Sequence, residues 1–296
     1  MILVAGSANL DFVVRAEHIP ALGETVLGKD FQTFPGGKGA NQAVACARAG
    51  GAPTTMLCAL GDDDFAKPLV ASLADANVQL HTVRSKLPTG TAFICVSDEG
   101  ENAITVAPGA NLDLLPTHWP AHLHISHLLM QLETPVPTVL AFAKAARAQG
   151  AKVVLNAAPA RELPQELLRC VDLLIVNEGE LAMLAGSQGD VLAQLQHVSK
   201  QHHLSNVIVT LGALGCLALH QGRVLQQQAY PIDVVDTTAA GDTFCGALVA
   251  ALSRGVPMQQ CLQEASAASA IACTKLGAQS SIPSREAVIA FIRNAG

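Results

Sequence analysis

The segment of this chain best suited to chemistry is Asp236-Thr237-Thr238-Ala239-Ala240-Gly241-Asp242-Thr243-Phe244. An extended run at residues 233–236 leads into its turn of small residues, and a long helical pattern follows. Because the first N–H groups of a helix lack intrahelical partners, such a turn can bind negative charge. Asp242, at the helix start, can accept a proton from a hydroxyl group. The segment therefore predicts an anion hole beside a general base, although an aspartate that only caps the helix would give the same short pattern.

A second polar segment is Phe34-Pro35-Gly36-Gly37-Lys38-Gly39-Ala40-Asn41-Gln42, in which three glycines surround a lysine. Glycines allow close backbone contact with a small polar ligand, and Asn41 offers both a donor and an acceptor to hydroxyl groups. The segment is not a Walker A loop, because Lys38 is followed by glycine rather than by serine or threonine. It indicates either a sugar-type site or a flexible glycine hairpin.

A third candidate is the pair Asn9 and Asp11, which follows the first apolar run of the chain at residues 2–6. The carboxyl ends of parallel strands conventionally carry ligand-binding groups. A carboxylate and an amide two residues apart can bind vicinal hydroxyls, but Asx residues also commonly shape the exit of a strand. The pair by itself does not distinguish these interpretations.

The elements that must position these side chains alternate along the chain. Short apolar runs precede helical stretches at residues 54–60 before 63–76, 124–130 before 135–149, and 152–156 before 164–170, with further runs at 173–176 and 207–210. Such alternation is typical of βαβ units. We therefore predict an α/β fold with a doubly wound, mostly parallel sheet flanked by helices.

Two segments interrupt the alternation, residues 12–34 and 91–106, where turn residues separate short extended runs. Together they are too short to bury a core of their own. We therefore predict a single domain over residues 1–296, in which these two segments form a small β-sheet lid. The C-terminal third is helical in pattern.

The composition argues against several classes of partner. The net charge is −6 and the chain has no run of Lys and Arg, so it offers no positive potential to nucleic acid. Only 3% of residues are aromatic, which leaves few side chains on which bases could stack. No stretch approaches the roughly 20 apolar residues that span a bilayer. The eight cysteines are scattered without a Cys-x-x-Cys pair, and no secretory leader pattern opens the chain. We expect a cytoplasmic protein that binds neither nucleic acid nor membrane.

Seven segments, in the same order, resemble the ribokinase family of carbohydrate kinases. They are residues 36–42 and 236–244, Met-Gln-Leu-Glu at 130–133, Ala-Pro-Ala-Arg-Glu-Leu-Pro at 158–164, Asn-Glu-Gly-Glu at 177–180, Thr-Leu-Gly at 210–212 and Gly-Ala-Gln-Ser-Ser at 277–281. The resemblance covers essentially the whole chain. It implies a ribokinase-like fold and ATP-dependent phosphorylation of D-ribose at the 5-hydroxyl, giving ribose 5-phosphate and ADP. A kinase for 2-deoxyribose, another pentose or a nucleoside stays open, as does a non-catalytic sugar-binding regulator.

The resemblance also implies roles for individual residues. Asp242 matches the catalytic base and Gly241, Ala240 and Ala239 match the anion hole, although the family's more general pattern has glycine where Ala239 or Ala240 stands. Besides Asp242, the positions that match sugar-binding residues are Asn9, Asp11, Gly37, Lys38, Gly39, Asn41 and Glu133. The positions that match ATP-binding residues are Asn177, Thr210, Leu211, Gly212, Ala213, Gly215, Gly241 and Ser266.

Two cations and an oligomeric state follow from the same resemblance. Asn177 and Glu180 match a pair that helps to place Mg²⁺, which retains much of its hydration and so would be held through water. An activating K⁺ would be held, mostly by backbone carbonyls, at Asp236, Thr238, Ala272, Lys275, Gly277 and Ser281. We expect a homodimer joined through the lid. Ser266 stands where relatives carry Asn or His beside the adenine, so a less selective purine contact is expected.

Overall fold

The computed structural model describes residues 1–295. Within these residues the strands are β1 Ile2–Ala5, β2 Asn9–Arg15, β3 Asp30–Gly36, β4 Thr54–Gly61, β5 Gln79–Ser85, β6 Gly90–Val96, β7 Asn102–Ala107, β8 His127–Met130, β9 Lys152–Asn156, β10 Leu173–Asn177, β11 Asn206–Thr210, β12 Cys216–His220 and β13 Arg223–Gln227. Nine of them form one sheet in the order β13-β12-β11-β10-β9-β8-β1-β4-β5. The strands from β11 to β5 pair in parallel, and β12 and β13 add an antiparallel hairpin at one edge. The predicted doubly wound, mostly parallel sheet is confirmed.

The α-helices of the described residues are α1 Lys38–Arg48, α2 Ala66–Asp75, α3 Val136–Ala148, α4 Gln165–Leu168, α5 Glu178–Ala185, α6 Val191–His202, α7 Ala240–Ser253, α8 Met258–Cys273 and α9 Arg285–Ala295. Short 3₁₀ turns occupy Gly109–Asp113, Pro116–His118 and Gly212–Leu214. In the described part of the chain, no helix combines the length and apolarity that crossing a membrane requires.

Helices cover both faces of the nine-stranded sheet, as a parallel sheet requires. Alternation along β1 places Ile2 and Val4 in one buried cluster and Leu3 and Ala5 in another. The first cluster contains side chains of α1, α7 and α8, and the second contains side chains of α3, α5 and α6. The side chains of the near-continuous apolar runs in the sequence therefore pack into two hydrophobic cores, one on each face of the sheet.

Helices α1 and α7 approach each other closely at Gly246. A Cβ atom at Gly246 would lie 2.5 Å from the backbone oxygen of Gln42 and 2.5 Å from the Cβ atom of Ala45. A larger residue would push the helices apart. Glycine at this position therefore allows the first turn of α7, which carries Asp242, to lie against the first turn of α1.

The other four strands form a separate sheet in the order β3-β2-β6-β7, which we call the lid sheet. Its register pairs Asn9 with Gly36 and with Gly90, so one end of the sheet meets the core where the polar segments at residues 9–11 and 36–42 begin. The lid sheet overlaps the two segments from which a lid is predicted, but β2 starts before residue 12.

The structure differs from the sequence patterns at four elements. The patterns do not predict β5 or the hairpin β12–β13, which lie at the two edges of the nine-stranded sheet. The extended run at residues 233–236 joins neither sheet. Instead, the N–H groups of Val235 and Asp236 donate to the backbone oxygen of Cys273 at the end of α8, at 2.8 and 3.2 Å. The run that precedes the turn is therefore bonded to the end of a helix and not to a neighbouring strand.

Candidate active site

A large cavity of 750 Å³ lies between the lid sheet and the core. Because side chains alternate along a strand, Asn9, Asp11 and Val13 of β2 all face this cavity. The core contributes Gly37, Lys38 and Asn41 and the segment at residues 234–239. The structure thus brings together around one space the three polar segments that the sequence singles out.

Most of the residues matched to sugar binding line this large cavity: Asn9, Asp11, Gly37, Lys38, Asn41, Glu133 and Asp242. Gly39 does not line it. A Cβ atom at Gly39 would lie 2.6 Å from the backbone nitrogen of Ser7, and its own N–H donates to Ser7 Oγ at 3.2 Å. Gly39 therefore fixes the packing of the loop and does not face the cavity.

A small cavity of 220 Å³ shares part of its lining with the large one. The residues that line both cavities are Lys38, Thr237, Ala239 and Asp242. Asn177, Glu180, Thr210 and Gly241 line only the small cavity. Asp242 thus stands at the boundary between the large cavity and the residues matched to nucleotide and phosphate binding.

Asp242 lies in the first turn of α7 with only 8% of its surface exposed. Its carboxylate accepts hydrogen bonds from Asn41 Nδ2 at 3.0 Å and from Gln42 Nε2 at 2.8 Å. Asn41 Oδ1 is buried and has no hydrogen-bond partner in the described structure. A buried acceptor without a partner is costly, so this oxygen is suited to a hydroxyl donor of a bound ligand.

The turn before α7 explains the small residues of the motif. Ala239 is the N-cap of α7 and has φ 58°, in the left-handed region that favours glycine. An alanine there costs about 1 kcal/mol, which accounts for the glycine in the family's more general pattern. The following residues, Ala240 and Gly241, line the small cavity at the positive end of the helix. The geometry suits an anion held by backbone N–H groups.

Lys38 lies among carboxylates beside the same boundary. The negative charge of Asp242 raises the pKa of Lys38, and Glu133 and Glu180 add to the increase, although burial acts in the opposite direction. The backbone N–H of Lys38 also donates to Glu133 Oε2 at 3.1 Å, and Ser7 Oγ donates to the same oxygen at 2.5 Å. The ammonium group stays charged and partly offsets three nearby negative charges.

Asp11 carries the most unusual carboxyl group of the site. Burial, followed by the charges of Glu133 and Asp242, raises the pKa of Asp11 to about 7. Asp11 is only 8% exposed. A buried carboxylate is stabilised when hydroxyl groups donate to it, so this residue is suited to a ligand with vicinal hydroxyls.

Asn9 is oriented by Asn111, a residue of the first 3₁₀ turn. Asn111 Nδ2 donates to Asn9 Oδ1 at 2.7 Å, and Asn111 Oδ1 accepts from the backbone N–H of Ala8 at 3.0 Å. Because the carbonyl oxygen of Asn9 is already used, its amide nitrogen is left to donate to a ligand. Asn9 and Asp11 therefore present a donor and an acceptor on the same face of β2.

The residues matched to ATP binding are spread over two strands, the turn between β11 and β12, and helices α7 and α8. Asn177 and Thr210 end the neighbouring strands β10 and β11, and both line the small cavity. Leu211, Gly212, Ala213 and Gly215 form the tight turn between β11 and β12, where Leu211 donates its N–H to the backbone oxygen of Gly215 at 2.8 Å. A Cβ atom at Gly215 would lie 2.0 Å from the backbone oxygen of Gln227. Ser266 is buried in α8 and its side chain contacts that of Cys216, which follows this turn. Neither Ser266 nor the four turn residues line either cavity.

Asn177 and Glu180 form a capping box at the start of α5. Glu180 N–H donates to Asn177 Oδ1 and Asn177 N–H donates to Glu180 Oε2, both at 2.8 Å. The second carboxylate oxygen of Glu180 remains available beside the small cavity. One free oxygen next to a phosphate-sized space fits a hydrated Mg²⁺ that is held mainly by phosphate and water. Within residues 1–295, no group of three or more His, Cys, Asp or Glu side chains is placed to hold a metal ion by itself.

Three of the residues matched to K⁺ binding, Asp236, Thr238 and Gly277, connect two loops through hydrogen bonds. Asp236 Oδ1 accepts from the backbone N–H and the hydroxyl of Thr238 at 2.8 and 2.6 Å, and Asp236 Oδ2 accepts from the N–H of Gly277 at 2.9 Å. Burial raises the pKa of Asp236, but these hydrogen bonds outweigh it and hold the pKa below its ordinary value. Ala272 and Ser281 are buried and, like Lys275, do not line the large cavity. The ionised carboxylate of Asp236 between the two loops supplies the negative charge that a monovalent cation would need here.

The comparison with known families agrees with this geometry. The family model described as "pfkB family carbohydrate kinase" matches residues 1–285. The chain belongs to this family. The predicted relationship to carbohydrate kinases of the ribokinase type is confirmed.

Proteins similar to this pfkB-family kinase match it over nearly its whole length. Ribokinase of Haemophilus influenzae is 38% identical over 302 residues, covering 99% of this chain and 98% of that protein. The crystal structure of ribokinase from Thermotoga maritima is 36% identical, with a TM-score of 0.92 and 99% of each chain covered. Ribokinase of Arabidopsis thaliana complexed with ribose and ATP is 34% identical, with a TM-score of 0.87, covering 99% of this chain and 98% of that one.

The polar residues that complete the site of this kinase include several to which the sequence patterns assign no role. These are Ser7, Gln42, Asn111, Gln131 and Asn156, all of them buried. Gln42 follows Asn41 directly in α1, and both side chains donate to the Asp242 carboxylate. For the four Asn and Gln residues among them, an amide close to apolar residues is the signal in the sequence, because a buried amide requires partners.

Proposed function

We propose that this kinase transfers the γ-phosphoryl group of ATP to the 5-hydroxyl of D-ribose, giving ribose 5-phosphate and ADP. The observation that carries the proposal is the position of Asp242 between the two cavities. The sugar binds in the large cavity, where Asn9, Asp11 and Asn41 present hydroxyl-binding groups. The phosphates bind in the small cavity at the start of α7.

In this arrangement Asp242 accepts the proton of the 5-hydroxyl while that oxygen attacks the γ-phosphorus. The bond from phosphorus to the bridging oxygen breaks and ADP leaves. N–H groups at the start of α7 bind the negative charge of the phosphoryl group in transit. Mg²⁺, held near Asn177 and Glu180 through water, supplies charge neutralisation to the phosphates when bound. Closure of the lid sheet excludes water, which would otherwise compete as the acceptor.

Ribose is favoured over 2-deoxyribose because of Asp11. A buried carboxylate that faces a missing hydroxyl is left partly unpaired, at a cost of about 1–3 kcal/mol. The large cavity also has room for another pentose or a nucleoside, and these are the alternative substrates. A non-catalytic sugar-binding regulator is disfavoured, because such a protein needs no base at the boundary between the cavities.

The proposal is tested by measuring ADP release with Mg-ATP and K⁺ in the presence of ribose, 2-deoxyribose, arabinose, fructose or adenosine, with a sugar-free control. We expect the highest kcat/KM with ribose and little ADP release without sugar. If another substrate is preferred, the proposed phosphoryl transfer stands and only the identity of the sugar changes. No stimulation by any of them would favour the regulator.

The resemblance and the loop geometry at Asp236 lead us to propose K⁺ activation. We expect turnover to be faster with K⁺ than with an equal concentration of tetramethylammonium, which is too large for a site between two loops. Asp236→Asn is expected to give the same rate in both salts, because the variant lacks the charge that attracts the ion. If the variant keeps the stimulation by K⁺, the ion does not bind at Asp236.

We also propose that the protein forms a homodimer through the lid sheet. Phe31 and Phe93 of this sheet are 63% and 53% exposed and do not line the large cavity, and its edge strands have unpaired backbone groups. Light scattering is expected to give a mass of twice 30.6 kDa. Phe31→Glu is expected to shift the mass to that of the monomer, whereas Val224→Glu, at an exposed apolar position of β13, leaves the dimer intact. A monomeric wild-type protein would contradict the proposal.

A cytoplasmic location is proposed on the basis of the thiols. All eight cysteines fall within the described residues and carry free thiol groups, of which five are buried. Burial raises the pKa of the thiols of Cys46 and Cys245 above their ordinary values, so these groups stay neutral and act as small apolar residues. Free thiols of this kind are usual in a reducing compartment.

A further inference from the structure

A chain of buried amide side chains contacts Asp242 from the core. Its members are Gln42 of α1, Gln131 after β8 and Asn156 at the end of β9, which are 0%, 1% and 8% exposed. Gln42 Nε2 donates to Asp242 Oδ1 at 2.8 Å and to Asn156 Oδ1 at 3.0 Å. Gln42 Oε1 accepts from Gln131 Nε2 at 2.6 Å. The amide of Gln42 thus has a partner for each of its two hydrogens and for its oxygen.

The orientation of the Gln42 amide is set by its neighbours. Asn156 Nδ2 donates to the backbone oxygen of Ile175 at 3.2 Å. Because a backbone oxygen can only accept, Asn156 must turn its nitrogen toward Ile175 and its oxygen toward Gln42. Gln42 therefore has to present its N–H groups to Asn156 and Asp242, and Gln131 donates to the oxygen on the other side. A flipped Gln42 amide would place its oxygen against two acceptors.

The carboxylate of Asp242 is consequently held at both oxygens from one helix. Oδ1 accepts from Gln42, and Oδ2 accepts from Asn41, the preceding residue of α1. Gly246 allows α7 to approach α1 closely enough for both bonds. Asn41 lines the large cavity, but Gln42 lines neither the large nor the small cavity. Gln42 can therefore affect a reaction there only through the cavity-lining side chains that it contacts, which are Asp242 and, at the edge of the small cavity, Asn156.

We infer that Gln42 is a positioning residue that orients the Asp242 carboxylate for proton transfer, and that Asn156 and Gln131 set the orientation of Gln42. The kinetic part of this inference rests on the proposed function, because it treats Asp242 as the base. Its structural part, the fixed orientation of the carboxylate, does not depend on which substrate is phosphorylated.

The kinetic test uses Gln42→Leu, which keeps the approximate size of the side chain and removes the amide. We expect kcat to fall by about 10- to 100-fold, because a small misplacement of a reacting group costs up to about 10²-fold. KM for the sugar is expected to change by less than about threefold, since Gln42 does not contact the cavity. Gln131→Leu leaves the donor to Asp242 in place and is expected to give a kcat between those of Gln42→Leu and the wild type.

The matched control is Gln194→Leu. Gln194 of α6 is 7% exposed, its Nε2 donates to the backbone oxygen of Ser187 at 2.6 Å, and it lines neither cavity. The control loses a buried amide of the same type, so its Tm should fall as well while kcat stays at the wild-type value. A kcat of Gln42→Leu equal to that of this control would overturn the inference, and an unchanged kcat in Gln131→Leu would overturn the part assigned to Gln131.

Crystal structures of the wild type, Gln42→Leu and Gln194→Leu give a readout that needs no activity. We expect the Asp242 carboxylate to rotate about χ2 in Gln42→Leu and to keep its wild-type orientation in the control. An unchanged carboxylate in Gln42→Leu would overturn the inference. Failure of the proposed function is recognised separately, as absence of sugar turnover by the wild type.

Discussion

Replacing Asp242 with asparagine is expected to lower kcat for sugar phosphorylation by about 10³-fold, within the range that a positioned general base contributes. The introduced amide cannot take the hydroxyl proton, although it has nearly the same size as the carboxylate. Sugar binding should be largely kept, because Asn9, Asp11 and Asn41 remain in the large cavity. Steady-state kinetics gives kcat, and calorimetric titration with ribose gives the affinity.

The matched control for this variant is Asp190→Asn. Asp190 also lies at a helix start, where its side chain accepts from the N–H of Ala193 at 2.8 Å as the N-cap of α6. Asparagine caps a helix about as well as aspartate, so neither kcat nor Tm should change. Near-normal turnover of Asp242→Asn would show that another group removes the proton.

Replacing Asp11 with asparagine is expected to stabilise the ligand-free protein and to weaken sugar binding. Burial and the charges of Glu133 and Asp242 raise the pKa of Asp11 from 3.8 to about 7. Between these values the folded state binds a proton that the unfolded state does not, so stability falls as pH rises through this window. The Tm of Asp11→Asn should therefore exceed that of the wild type, by more at pH values above the window than at its acidic end. Thermal unfolding at several pH values measures this difference.

Sugar affinity should change in the opposite direction in the same variant. Hydrogen bonds from hydroxyls to a charged acceptor contribute about 1.5–3 kcal/mol, so ribose is expected to bind about 10- to 100-fold more weakly. Asp62→Asn is the control, because Asp62 is an exposed carboxyl that lines neither cavity. It should alter neither the pH dependence of Tm nor the affinity for ribose. A wild-type Tm that does not fall relative to Asp11→Asn as pH rises would contradict a raised pKa of Asp11.

The parallel sheet and the anion-binding turn were accessible from the sequence because both depend on neighbouring residues. Apolar runs such as the one in β1 report burial on both faces of a sheet, and a change to helical spacing marks the start of α7. The small residues before Asp242 likewise report a turn whose backbone conformation is local, as the positive φ of Ala239 illustrates. The edge hairpin β12–β13 was not accessible, because its strands are short and partly exposed and give a weak pattern.

Tertiary structure alone decided which residues complete the site. Gln42 and Asp242 are 200 positions apart, and Asn9 and Asn111 are 102 apart, so no periodicity in the chain relates them. Their contacts depend on how closely α1 and α7 pack at Gly246 and on where the first 3₁₀ turn meets the lid sheet. The sequence by itself determined the fold class, the turn and the candidate base, since these follow from local spacing. The orientation of each polar group was decided by packing, since hydrogen-bond geometry depends on distances between elements that sequence spacing does not encode.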